Sequence, residues 1–154
     1  MPDGVRRLQG FIIEQHIQAD VLVFDKSTHS VAEAALVVGA AAEDFVKNIC
    51  LIGSGGQLIL AVVKGEDHVD RRKVGYVLGI PAPRLATPAE ILDRTGYPCG
   101  GTPSFGFKAI FLIDERVLDK EIVFSGGGSE NTLMRVSPAE IQRVNDARIA
   151  VIHA

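Results

Sequence analysis

Three helix starts divide this chain, and their spacing restricts its fold more than any other feature. Ser30-Val31-Ala32-Glu33, Thr87-Pro88-Ala89-Glu90 and Ser137-Pro138-Ala139-Glu140 each place a hydroxyl residue three positions before a glutamate. A hydroxyl oxygen there accepts a free N–H of the first turn, and the glutamate can reach back to close a capping box. In the last two, proline fills the first helical position, where a missing donor costs nothing. Asp70 can cap a further helix bearing Val74, Val77 and Leu78, closed by Gly79. A first helix is expected over Val5–Ile17, from the stripe Val5, Leu8, Phe11 and Ile12.

Apolar runs too short for helices lie between these starts. Val21–Phe24, Asn48–Ile52, Leu58–Val63, Ala109–Ile113, Glu121–Phe124, Leu133–Val136 and Ile149–Ile152 read as strands. Gly53-Ser54-Gly55-Gly56-Gln57 joins the second and third as a hairpin, and Ser125-Gly126-Gly127-Gly128-Ser129 is a hairpin connection rather than a phosphate cradle. Hairpins mixed with helical crossovers predict an α+β fold: a mixed, partly curled β-sheet flanked by helices. No linker or repeat breaks the chain, so residues 1–154 are expected to form one domain.

The net charge of -3 argues against non-specific nucleic-acid binding, which depends on neutralising many phosphates. The run Arg71-Arg72-Lys73 reads as a solvated helix face. Two cysteines make no disulfide framework: Cys50 reads as a core residue, and Cys99 has no nucleophile signature around it. The four histidines lack zinc-site spacing, so neither metal nor cofactor is expected. No apolar run approaches the roughly 18 residues of a membrane span, and no signal-peptide pattern is present, which predicts a cytoplasmic protein with no membrane partner.

Two features are candidates for chemistry. Thr95–Gly106 holds four glycines and two prolines, so no regular element runs through it. It is either an ordinary surface connection or a loop whose bare N–H groups close on a polar ligand. Lys47 precedes the apolar run Asn48–Ile52, where its ammonium is either a fixed cation in a cleft or a group snorkelling from a strand end.

The order of these parts carries more than any one of them. A capped helix, Phe45-Val46-Lys47-Asn48-Ile49, a hairpin, Val63-Lys64-Gly65-Glu66-Asp67, Thr87-Pro88-Ala89-Glu90-Ile91, the glycine-proline loop and Ser125-Gly126-Gly127-Gly128 follow in succession. This succession resembles the YbaK/prolyl-tRNA-synthetase-associated editing domain family of free-standing aminoacyl-tRNA deacylases, over residues 19–154. The resemblance implies an ester hydrolase that removes a small amino acid (Ala-, Cys- or Ser-type) from mischarged tRNA, by water attack that the substrate's own ribose hydroxyl assists. It implies Lys47 as the functionally essential lysine, with the N–H groups of Gly100 and Gly101 lining the carbonyl oxygen. It implies Thr28, His29, Thr102, Pro103, Ser104 and Phe105 as the substrate wall. The family's GxxxP pattern falls on Gly100–Ser104, where serine stands in place of proline. The implied partners are the tRNA acceptor end with its amino acid and an aminoacyl-tRNA synthetase. A non-catalytic aminoacyl-tRNA- or synthetase-binding module, and a hydrolase acting on another ester, are the alternatives from other classes.

Overall fold

The computed structural model describes residues 2–154, and its elements follow the capping and turn chemistry of the sequence. Helix α1 (Asp3–Glu14) precedes strand β1 (Ala19–Val23) and helix α2 (Val31–Val38). The hairpin of β2 (Val46–Ile52) and β3 (Leu58–Lys64) leads to α3 (Arg71–Leu78), the two-residue strand β4 (Arg84–Leu85) and α4 (Pro88–Thr95). After the glycine-proline loop come β5 (Ile110–Asp114), β6 (Val123–Gly126), β7 (Thr132–Val136), α5 (Pro138–Asn145) and β8 (Arg148–Ala150).

Each predicted cap is in place, but only one glutamate completes its box. Thr87 Oγ1 accepts from Glu90 N at 3.2 Å, and the Glu90 carboxylate accepts from Thr87 N at 3.0 Å. Arg84 holds the same carboxylate through two 2.8 Å bonds, and its guanidinium, with the Thr87 N–H, lowers the carboxyl pKa to about 2. Ser137 caps α5, yet Glu140 turns away to accept from Gln18 N and Arg143, so tertiary partners win over the local return bond. Ser30 caps α2 through its hydroxyl alone. Helix α1 runs from Asp3 to Glu14, ending three residues before the expected Ile17, and His16 beyond it adopts φ 53.

The strands form an α+β arrangement of two sheets. One is mixed, in the order β4-β2-β3-β5-β8, and the other is antiparallel, in the order β1-β7-β6. A parallel bridge between Phe45 and Phe124 joins them at one corner without closing a barrel, and the two rings stack there at 5.2 Å. Strand β3 is buried along all seven residues, because α3 covers one face of its sheet and the rest of the core covers the other. Such two-sided burial explains its continuous apolar run. Side-chain alternation then sorts β2. Val46, Cys50 and Ile52 join the main core, while Leu51, with Ile49 beside it, joins the cluster under α3.

Helix α1 belongs to this core, with Val5 and Leu8 fully buried. It backs the glycine-proline loop. Arg7 donates to Gly96 O at 3.0 Å and lies over the Tyr97 ring, and Phe11 packs against Phe105 at 5.8 Å.

Candidate active site

Strand β2 is paired with β4 only at Leu51 and Ile52, beyond which Ala86 N donates to Cys50 O at 3.0 Å. The chain then turns into α4, which leaves the first half of β2 without a neighbouring strand of its own sheet on that side. A cleft of about 450 Å3 opens there. Cys50, Ala86, Ile91 and Cys99 make its inner wall against the main core, and Ala34, Phe45 and Leu133 face it from the cluster under α2. A volume in this range suits a small ligand.

Of the predicted site residues, the structure brings Lys47, Gly100, Thr28, His29 and Thr102 onto this one cleft. Lys47 Nζ donates to Asp67 O at 2.7 Å, in the turn between β3 and α3. An ammonium has three donors, so two remain for a ligand. Thr28 and Thr102 contribute walls rather than free donors. The Thr28 hydroxyl bonds Thr132 O at 3.2 Å, and the Thr102 hydroxyl bonds Pro98 O at 3.0 Å. The His29 ring lies directly over Gly100, which adopts φ 87 with a Cα too close to the imidazole for any Cβ to fit between them.

Four predicted site residues stand behind the wall. Gly101 does not line the cleft, and its N–H is already donated to Pro98 O at 3.0 Å, so it offers nothing to a carbonyl oxygen. A Cβ at Gly101 would sit 2.6 Å from Ser129 O, so its glycine serves close backbone packing. Pro103 is buried, and Phe105, fully buried, packs on Phe11 as a core residue. Ser104 is fully buried too, and donates to Asn48 Oδ1 at 2.7 Å instead of facing a substrate.

Three of the loop's carbonyls are held by groups outside it. Gly128 N donates to Gly101 O, Asn48 Nδ2 to Thr102 O, and Asn145 Nδ2 to Ser104 O. Among the described residues, Gly100 alone of residues 100 to 102 makes no hydrogen bond through its N–H or its C=O. Gly100, with Cys99 before it, thus presents its bare N–H and C=O to the cleft.

Asn48 is the residue that motif reading passed over. Asparagine is a poor strand former, so its place beside Lys47 at the head of an apolar strand is the available signal. It and Lys47 project from opposite faces of β2, and the cleft wraps the open strand edge to include both.

Among the described residues, no aspartate or glutamate lines the cleft. It holds the ammonium of Lys47 and the side chains of His29, Cys50 and Cys99. Burial, helped by nearby Cys99, pushes the Cys50 thiol up to about 12, which makes it inert. No hydrogen bond joins Cys99 to His29 among the described residues, so the pair lacks the contact of a thiol nucleophile and its base. Among the described residues, no helix is long and apolar enough to cross a membrane.

The chain is similar to known proteins over most of its length. A family model described as an aminoacyl-tRNA editing domain matches residues 25–144. The uncharacterized protein YwhH of Bacillus subtilis (strain 168) is 29% identical over 133 residues, covering 84% of this chain and 83% of that protein. A proline--tRNA ligase of Trichlorobacter lovleyi is 35% identical over 107 residues; these are 70% of this chain but 18% of the ligase. A solved structure provisionally described as a trans-editing enzyme for prolyl tRNA synthetase superposes with a TM-score of 0.89 at 30% identity, covering 100% of this chain and 99% of that one.

Proposed function

The chain belongs to the aminoacyl-tRNA editing domain family, and on that premise we propose that it acts in trans to hydrolyse the ester of a small amino acid wrongly joined to tRNA by prolyl-tRNA synthetase. The observation that carries this reading is the meeting of Lys47 and the bare peptide group of Gly100 on one carboxylate-free cleft. An aminoacyl ester is already activated, so it needs a placed water and a donor for the developing oxyanion rather than a strong protein base.

In this reading the Gly100 N–H donates to the ester carbonyl oxygen as water adds to the carbonyl carbon. The adjacent ribose hydroxyl accepts the water proton and relays it to the departing ribose oxygen. The C–O bond breaks, giving the free amino acid and an uncharged tRNA end. Lys47, with two donors free, holds the terminal nucleotide. The wall of Cys50, Ala86, Ile91 and Cys99 takes the amino-acid side chain. Such a pocket separates neighbours differing by one methylene only about 10–200-fold, which suits a second sieve after the synthetase.

The test is deacylation of Ala-, Ser-, Cys- and Pro-tRNA. At least one of the first three should be hydrolysed well ahead of Pro-tRNA, and Lys47→Ala should slow that reaction about 100-fold or more in a protein that melts normally. Binding of aminoacyl-tRNA without any ester loss would replace the enzyme with a recognition module.

A further inference from the structure

The hydrogen bonds along the inner wall of the cleft close into a ring whose proton directions follow from donor chemistry alone. Asn48 approaches Thr102 O at 3.0 Å, a carbonyl that can only accept, so the nitrogen of the amide must be the atom on that side. Its second N–H reaches Ser125 Oγ at 2.9 Å. Asn48 Oδ1 can only accept, so the single proton of Ser104 goes to it at 2.7 Å. With that proton spent, Ser104 Oγ must accept from Ser125 across their 2.8 Å contact. The cycle Asn48 to Ser125 to Ser104 to Asn48 runs in one direction, with no donor left over.

The three members come from β2, β6 and the glycine-proline loop, and Ser104 and Ser125 are essentially inaccessible to solvent. Bonds in such a ring polarise one another, and a buried ring broken at one point leaves unpaired groups at both neighbours. Asn48 adjoins Lys47, and its other N–H fixes the carbonyl of Thr102, two residues from Gly100. The ring therefore spans from the strand that carries the lysine to the loop that carries the bare peptide group.

We propose that Ser104, through this ring, is a positioning residue: it fixes the Gly100 peptide relative to Lys47 by hydrogen bonding, where a proline would act through its fixed backbone angle. This rests on the deacylase reading of the cleft. Every donor of the ring is already spent within it or on Thr102 O, although Asn48 and Ser125 line the cleft.

Ser104→Ala and Ser125→Ala break the ring from opposite sides, so either one serves if the other fails to fold. Each should lower kcat on the preferred aminoacyl-tRNA about 10- to 100-fold with KM nearly unchanged, as displacement of a reacting group does. The double variant should lose no more than the worse single one, since one break already opens the ring. Amide hydrogen exchange at Gly100–Thr102 should quicken in both. Parental kcat in a folded variant, losses that multiply in the double variant, or a change confined to KM would overturn the proposal. A wild-type protein inactive on every aminoacyl-tRNA would remove the deacylase reading but not the exchange measurement. Unaltered exchange at Gly100–Thr102 would then overturn the ring's role by itself.

Discussion

Two glycine-rich segments of this molecule look alike as text and differ in what their glycines do. Gly53–Gln57 turns β2 into β3 at the surface, with Ser54, Gly55 and Gly56 exposed and bonds contained within itself: Gly53 N to Gln57 O, and Gly56 N to Gly53 O. Pro98–Ser104 instead lies against the core, and its carbonyls are held by groups from β2, from α5 and from Gly128. In the first segment Gly56 supplies a backbone angle; in the second Gly101 supplies room. A binding wall is thus distinguished from a connection by where its peptide groups find partners, not by composition.

The strongest test of that contrast is Gly101→Ala. A Cβ there would stand 2.6–2.8 Å from three backbone atoms of Ser129, and backbone cannot swing aside as a side chain can. The expected loss is about 3 kcal/mol, at the upper end for overpacking, read by denaturant unfolding. Stability within about 1 kcal/mol of the parent would erase the difference between the two segments.

Gly100→Ala should separate function from stability within the same loop. Its φ of 87 disfavours a side chain, and the atoms it would meet belong to the His29 side chain rather than to backbone. The expected stability cost is about 1–2 kcal/mol. Deacylation should fall more than this suggests, because the displaced ring enters the cleft. Removing the ring in a Gly100→Ala/His29→Ala protein should restore part of the rate. Equal rates in the single and double variants would show that His29 is not what the new methyl displaces.

The fold was legible wherever local chemistry decides it. Asp70 accepts from Arg72 N and Lys73 N as its position before the helix suggests, and the β2–β3 hairpin keeps the register its five-residue turn sets. Burial of the glycine-proline loop was not legible, because the groups that satisfy it lie far away in sequence. Asn145 is 41 residues from the carbonyl it caps, and Asn48 is 54 from Thr102. A segment of glycine, proline and hydroxyl residues reads as solvated until such donors are located. For the same reason Ser104 and Phe105 read as lining residues, when one belongs to a polar ring and the other to the core. Lys47 was legible as a strand-end cation, but its bond to Asp67 O needed the turn after β3 to be placed. β4 has only two residues, below the length at which alternation can be seen.

The smallest effect belongs to the hairpin turn, and it isolates the angle from the space. Gly56 has φ 83, yet a Cβ built on it meets nothing within 4 Å. Gly56→Ala should therefore cost only the left-handed backbone penalty, about 1 kcal/mol, and leave deacylation unchanged. Asparagine tolerates that region better than alanine, so Gly56→Asn should recover part of the loss. At Gly101 the same exchange of alanine for asparagine should make matters worse, since the added atoms enlarge an existing clash with Ser129. Opposite responses to one substitution at two glycines would establish that the turn needs an angle and the wall needs an absence.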